Sequence, residues 1–350
     1  MSSVDAAIIA LFVLTAAAFT VTVAWTPLLT NFLFRYRIGK QIRDAGQTPV
    51  FTGLHQAKQG TPTMGGVLVW VTTLVFAGLP WLLDRVLGFS TWHRFNFLTR
   101  AETLLPLGAL VAASLVGLID DVFNVRRIGT ASGLRVRHRL VLYALIAAVG
   151  AWWFVVKLDW TTIHIPFVGN FDIGLWYVPI FIFIIVATSH SVNITDGLDG
   201  LAGGVLLAAF ATFGAIAFIQ GHFFLATFCG VIVGSLLAFL WFNIHPARFF
   251  MGDTGAMGLG TTLGVVAMLT NAALFLPIIS FVLVLESTSV ILQIAWRRLT
   301  GRKLFRSAPI HHHFEARGWP EPKVVMRFWI ISAVTAVIGF ILVLIDRGVT

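Results

Sequence analysis

Five aspartates fall at the ends of long apolar segments of this chain. They are Asp120 and Asp121 in Gly117–Asp121 (GLIDD), Asp196 and Asp199 in Asn193–Gly200 (NITDGLDG), and Asp253 in Phe250–Gly255 (FMGDTG). Carboxylates are costly near a bilayer and stand there mostly for function. Several converging on one face imply a cation, and a cation implies an anionic substrate. Asp120-Asp121 is disfavoured twice, by desolvation and because acidic groups at a helix C-terminus oppose the dipole. Neighbours on a helix point apart, so both reach one ligand only where the helix frays. Asn193, Asp196 and Asp199 recur at i, i+3 and i+6 and share a face if that segment is helical. An Asx-type turn explains one such residue but not three. Asp253 either caps the helix that begins beside it or binds metal.

Lys58–Gly66 (KQGTPTMGG) supplies positive charge near these carboxylates. Thr61 is a good N-cap and Pro62 suits the first helical position, so a helix is expected to open there. A lysine beside a helix N-terminus makes an anion site. Gly65-Gly66 allows either close helix packing or close approach of backbone to ligand. Asn243-Ile244-His245-Pro246 adds a polar cluster ahead of Asp253, and Glu286 is a carboxylate within an apolar segment, either a structural partner or part of the site. His311-His312-His313 invites a zinc reading, but consecutive histidines diverge and match no structural zinc spacing. Contacts to phosphate or to a leaving group suit them better. Hard oxygen ligands near phosphate point to Mg²⁺. With no Walker A sequence, an ATPase of that class is excluded. Lysine, Mg²⁺, helix N-termini and histidines around carboxylates describe a phosphoryl-transfer site.

The elements that must position these groups are membrane helices. The chain has 350 residues, 58% hydrophobic and 11% charged, which implies an all-α polytopic membrane protein. A span needs about 20 apolar residues. Ten candidates run over 6–34, 62–84, 101–119, 138–158, 174–191, 200–220, 222–241, 255–272, 274–296 and 326–346. Residues 1–7 lack Lys and Arg, whereas Arg35, Arg37, Lys40 and Arg43 follow the first span. That pattern is expected of an uncleaved, outside N-terminus, and ten spans return the C-terminus outside. All basic residues except Arg85, Arg94, Arg100, Lys157 and Arg347 then fall in cytoplasmic loops, as the positive-inside rule requires. The formal charge of +9 is read the same way, with no nucleic acid as partner. Residues 161–172 read as a small external hairpin turning at Gly169-Asn170. Cys229 is the only cysteine, so no internal disulfide forms. Short loops imply one domain over 1–350.

Taken in order, KQGTPTMGG, Asp120-Asp121, NITDGLDG, FMGDTG and PIHHHFE (309–315) resemble the motifs of the polyprenyl-phosphate N-acetylhexosamine-1-phosphate transferases. The resemblance runs from the first cytoplasmic loop through the tenth span. GTPTMGG and PIHHHFE are similar to the branch acting on UDP-N-acetylmuramoyl-pentapeptide. It implies a bacterial inner-membrane enzyme with its active site facing the cytoplasm, which joins that substrate to undecaprenyl phosphate with Mg²⁺ and yields lipid I and UMP. By resemblance Asp253 holds the metal, while Asp120, Asp121 and His311 belong to the reaction centre. Lys58, Gly197, Leu198, Asp199 and Phe250 line a uridine pocket. Asn193, Asp196, Asn243, Gln293, His312 and His313 complete the nucleotide and phosphate contacts. The oligomeric state stays open, a homodimer among the options. The chain departs from the family pattern in a longer Gly46–His55 loop, in Arg139 where lysine is usual, and in lacking a lysine just after the Asp pair, near Asn124.

A phosphate monoester has a second pKa near 6, so a lipid phosphate is mostly dianionic at neutral pH and needs little help from a base. Asp120 and Asp121 are therefore expected to position Mg²⁺ or the attacking phosphate in a direct in-line transfer. Two rivals make different demands. A sister enzyme moving N-acetylglucosamine-1-phosphate shares the Asp motifs but is not expected to carry PIHHHFE. A cation-coupled transporter requires ionisable groups and broken helices near the midplane.

Overall fold

A computed structural model describes residues 3–36, 38–39, 58, 60–126 and 134–348. The Gly46–His55 loop lies outside the described residues. In chain order the helices are Ser3–Arg35 (α1), Val67–Trp81 (α2), Leu104–Val125 (α3), Val136–Trp152 (α4), Tyr177–Thr195 (α5), Leu201–Ile219 (α6), Phe223–Asn243 (α7), Gly252–Leu269 (α8), Leu276–Ile279 (α9), Phe281–Thr300 (α10), Ile310–Glu315 (α11) and Glu321–Asp346 (α12). Each of the ten expected segments holds helix. Among the described residues eight are long and apolar enough to cross a membrane, or nine if one bent pair counts as a span.

The bent pair corrects the expected straight span over 274–296. Its two parts, Ala273–Ile279 and Phe281–Thr300, meet at 83°. Ser280 leaves the helical region there (φ −110°, ψ 40°). Past the bend, Ile291, Ile294 and Leu299 are exposed, as apolar residues facing lipid would be.

α8 is the centre of the bundle. Every residue of it except Asp253 is buried, and it packs against α3 and α5. Lipid is as apolar as leucine, so helices associate in membranes through close packing and interhelical hydrogen bonds. Gly117 of α3 lies so close to α8 that a Cβ there would sit 2.2 Å from the Asp253 carbonyl oxygen. Ser189 and Thr261 hydrogen bond at 2.5 Å, and Thr254 Oγ1 donates to the Ser114 carbonyl at 2.9 Å. Each such bond contributes about 0.6 kcal/mol.

The expected helix start at Thr61-Pro62 is not observed. α2 begins at Val67 after Gly66, without a side-chain cap. Residues 61–66 form a non-helical strap, ending in a turn at Gly65-Gly66, because other backbone claims their hydrogen bonds. Thr63 N–H donates to Ile38 O, Phe250 N–H to Pro62 O, Gly65 N–H to Phe250 O and Gly66 N–H to Met251 O. A Cβ on Gly66 would stand 2.3 Å from Gly255 Cα. The Gly65-Gly66 pair therefore serves helix packing.

At the opposite end, β1 (Thr162–Ile165) and β2 (Gly169–Asp172) form the anticipated hairpin. Ile165 pairs with Gly169, so the turn is centred on Phe167 (φ 62°) and not on Gly169-Asn170. Thr161 Oγ1 and Gly174 N–H both donate to the Asp172 carboxylate, which holds it below its ordinary pKa. His164 donates its backbone N–H to Asn271 and contacts Asp346 through its ring. The hairpin thus sits where α8 and α12 end, across the bundle from where both begin.

Candidate active site

α3 continues through Val125, past the expected end at 119, so Asp120 and Asp121 lie within the helix and serve different partners. Asp121 reaches the N-terminus of α8. It accepts N–H from Asp253 at 3.1 Å and from Thr254 at 3.0 Å, with Thr63 Oγ1 at 3.4 Å. Gly252, in the left-handed region at φ 76°, turns the chain into that helix; a Cβ there would meet Asp121 Oδ2 at 2.6 Å. The cap of α8 is therefore Asp121, which frees the carboxylate of Asp253.

Asp253 instead joins Asp120 and Asn193 around Arg139. The guanidinium lies 2.6 Å from Asp120 Oδ2, donates to Asp253 Oδ2 at 2.8 Å and Oδ1 at 3.2 Å, and to Asn193 Oδ1 at 3.0 Å. Asn193 Nδ2 also donates to Asp253, and Leu134 N–H donates to Asp120 Oδ1 at 2.5 Å. In the sequence Arg139 stood out only as an arginine where lysine is usual; its place between Asp120 and Asp253 was not legible.

The i, i+3, i+6 face is not formed. α5 stops at Thr195 and Asp196 takes the C-cap with ψ 51°, so Asn193 and Asp199 point to separate clusters. Lys58 Nζ bridges Asp199 Oδ1 at 2.6 Å and Glu321 Oε1 at 2.5 Å, and stands 5.8 Å from the centroid of Phe250. His245 Nδ1 lies 2.9 Å from Asp199 Oδ2. Glu321 and His245 were not expected at the site; only the latter's place in the NIHP cluster hinted at it. Asn243 ties the turn that follows Asp199 to the segment that precedes Phe250. Its Oδ1 accepts Gly200 N–H at 3.0 Å and its Nδ2 donates to Phe249 O at 2.8 Å.

On the short helix α11 the expected divergence holds only in part: the His311 and His312 rings touch edge to face, centroids 4.1 Å apart, while each of the three histidines has its own polar partner. His311 Nδ1 lies 2.9 Å from Glu286 Oε2, both fully buried. A Cβ on Gly197 would meet His311 Nε2 at 2.4 Å, so that glycine gives the ring its space, and Leu198 beside it is buried. His312 Nδ1 lies 2.6 Å from Glu315. His313 Nδ1 accepts Arg306 N–H at 3.1 Å. Desolvation, then Arg317 and Arg306, hold the His313 imidazole below its ordinary pKa, which suits an acceptor. Gln293 accepts N–H from Leu304 and Phe305 and donates to Phe305 O. It braces a loop and does not reach toward the carboxylates.

Two groups gather ligand atoms suited to a cation. The oxygens of Asp120, Asp253 and Asn193 all surround one guanidinium, a hard donor set already arranged about positive charge, which fits Mg²⁺ chemistry. Asp199, His245 and Glu321 offer atoms within 4.8 Å of one another. Lys58 already offsets one of the two carboxylate charges there, and the His245 nitrogen makes it the softer set.

Residues 103–271 match the glycosyl transferase family 4 model, and residues 58–68 match phospho-N-acetylmuramoyl-pentapeptide-transferase signature 1. A phospho-N-acetylmuramoyl-pentapeptide-transferase of Chloroflexus aurantiacus is 39% identical over 95% of this chain and 89% of its own length. The chain belongs to the phospho-N-acetylmuramoyl-pentapeptide-transferase family. Proteins of the same name from Geobacillus kaustophilus and Clostridium novyi are 38% and 35% identical, over 94% and 93% of this chain and 97% and 94% of their own lengths. The phospho-N-acetylmuramoyl-pentapeptide-transferase signature contains both Lys58 and the strap that threads Gly66 against α8. It therefore covers the residues that join the Lys58 cluster to the N-terminus bearing Asp253.

Proposed function

We propose that this chain transfers phospho-N-acetylmuramoyl-pentapeptide from UDP-N-acetylmuramoyl-pentapeptide to undecaprenyl phosphate, forming lipid I and UMP. The observation that carries the reading is that Lys58, inside the matched signature, reaches Asp199 across 141 residues of sequence. The motif order thus corresponds to a built polar end of the bundle.

The end that bears Asp253 faces the cytoplasm of a bacterial inner membrane. Arg126, Arg135, Arg248 and the Arg297–Arg306 basic run adjoin it, in keeping with the positive-inside rule. The whole of 1–350 acts as one integral-membrane transferase domain. Asp253 and Asp120, with Asn193 Oδ1, would hold Mg²⁺, whose chemistry is charge neutralisation at the diphosphate. Asp121 fixes the α8 N-terminus and Asp253 with it. Lys58, Phe250 and Asp199, followed by Gly197 and Leu198, form the nucleotide end, with Asp196 at its edge. Asn243 holds the two parts in register. His311, His312 and His313 frame the phosphate side, and Gln293 supports the loop beside them. The lipid phosphate is mostly dianionic at neutral pH, so Asp120 has a positioning role.

Full-length protein purified in detergent, given Mg²⁺, undecaprenyl phosphate and either UDP-N-acetylmuramoyl-pentapeptide or UDP-N-acetylglucosamine, tests this by UMP release. Release with the first nucleotide alone is expected. Release only with the second transfers the assignment to the sister reaction. The transporter reading finds its broken helix at Ser280, but it also needs its carboxylates near the midplane, whereas Asp120, Asp121, Asp199 and Asp253 gather at one end of the bundle and Glu286 is engaged by His311.

A further inference from the structure

Arg139 is the cation on which Asp120 and Asp253 converge, with Asn193 as a third partner, and the three are held unequally. Asp120 is fully buried and also fixed by Leu134 N–H. Asp253 is 13% exposed, the more accessible of the two carboxylates, and apart from Arg139 its side chain is held by Asn193. Among the described residues Arg139 Nε is buried without a hydrogen-bond partner, one N–H of the fork left over. A guanidinium keeps its charge at any working pH, so it leaves a carboxylate only by moving. Its planar fork can span two carboxylates at once, which a lysine ammonium cannot do with the same geometry.

We propose that Arg139 is the resident counter-cation of Asp253. A divalent cation and the guanidinium compete for that carboxylate, and Asp120 retains Arg139 when the metal takes Asp253. Arg139, so tethered, turns its free donors toward the substrate phosphates. It is a positioning residue for the metal carboxylate, and the inference rests on the transferase reading given above. A purely structural arginine would make metal binding weaker when removed; a competing one makes it tighter.

Mn²⁺ binding to the purified full-length chain without substrates, read by electron paramagnetic resonance, separates the two. Arg139→Gln is expected to bind Mn²⁺ at least about ten-fold more tightly, the size of effect that one adjacent charge exerts on a carboxylate. Its UMP release should fall about a hundred-fold, as for loss of one transition-state donor. Arg139→Lys keeps the charge without the fork and should fall between wild type and Arg139→Gln in both measurements. Unchanged or weaker Mn²⁺ binding in Arg139→Gln overturns the proposal. If that variant does not fold, Mn²⁺ affinity of Arg139→Lys equal to or below wild type overturns it instead. Wild-type protein that releases no UMP while the Mn²⁺ order holds sinks the assigned reaction and leaves Arg139 as the competing cation.

Discussion

Asp121 accepts the backbone N–H of Thr254 at 3.0 Å and so caps a helix that begins more than a hundred residues further along the chain. Asp120, its neighbour in sequence, turns to Arg139 instead. The dipole of α8 offsets one charge of the acidic pair and a guanidinium offsets the other. This division explains how adjacent carboxylates coexist at the buried end of a membrane helix. It also ties Asp253 to α3, because the amide that Asp121 accepts belongs to Asp253 itself.

Asp121→Ala should therefore act first on stability. It leaves two N-terminal amides of α8 without their acceptor, at a cost of about 3–6 kcal/mol for two charge-assisted bonds. Thermal unfolding in detergent should show a clearly lowered midpoint, and Asp121→Asn, which keeps an acceptor oxygen, should recover part of it. A midpoint for Asp121→Ala equal to wild type would remove the capping role.

Gly117→Ala tests the close approach of α3 to Asp253. The added methyl falls 2.2 Å from a backbone oxygen, which helix backbone cannot yield without shifting. Overpacking of this kind costs about 1–3 kcal/mol, and here the displaced group is Asp253, the residue proposed to bear the metal carboxylate. UMP release should drop sharply. Gly108→Ala on the same helix, where a Cβ meets nothing within 4 Å, should leave release unchanged. Equal activity of the two variants would refute the packing argument.

These relationships mark the boundary of what was legible in the sequence. Apolar run lengths located the helical segments, because that signal is local and repeated. The break at Ser280 was missed because composition continues unchanged through it. The strap at 61–66 was missed because its hydrogen bonds go to Ile38, Phe250 and Met251, and tertiary partners override a local capping signal. Asp199 and Lys58 were singled out separately, yet Glu321, which completes their ion-pair group, follows Pro320 at the start of α12 and reads as an ordinary first-turn acid. Arg139 was noted as an arginine where lysine is usual, yet its role was not legible, since Asp253, the carboxylate it joins to Asp120, lies 114 residues away in sequence.

Lys58→Met should damage both ends of its bridge. Asp199 and Glu321 are 3% and 9% exposed, and removing the one ammonium between them leaves two nearly buried carboxylates facing each other. Breaking a buried pair costs about 3–5 kcal/mol. UMP binding, measured by calorimetry without turnover, should weaken along with stability. Lys58→Met with Glu321→Gln removes the repulsion and should restore stability but not UMP affinity. Recovery of both together would mean that Lys58 has no nucleotide contact.

The buried Glu286–His311 pair allows a sharper separation of stability from activity. Both side chains are fully buried at 2.9 Å, and Glu286 Oε1 and His311 Nε2 have no hydrogen-bond partner among the described residues. Breaking such a pair from one side strands a polar group in an apolar interior, at about 3–5 kcal/mol, whereas replacing both members by apolar residues is often neutral or stabilising. Glu286→Leu and His311→Leu should each lower the unfolding midpoint, and the double variant should stand above either one. UMP release should follow a different order. It should be lowest wherever His311 is changed, the double variant included, because that ring and not Glu286 faces the Gly197 turn. A double variant less stable than both single variants would show that the pair's partners lie elsewhere. A double variant that regained turnover would take His311 out of the site.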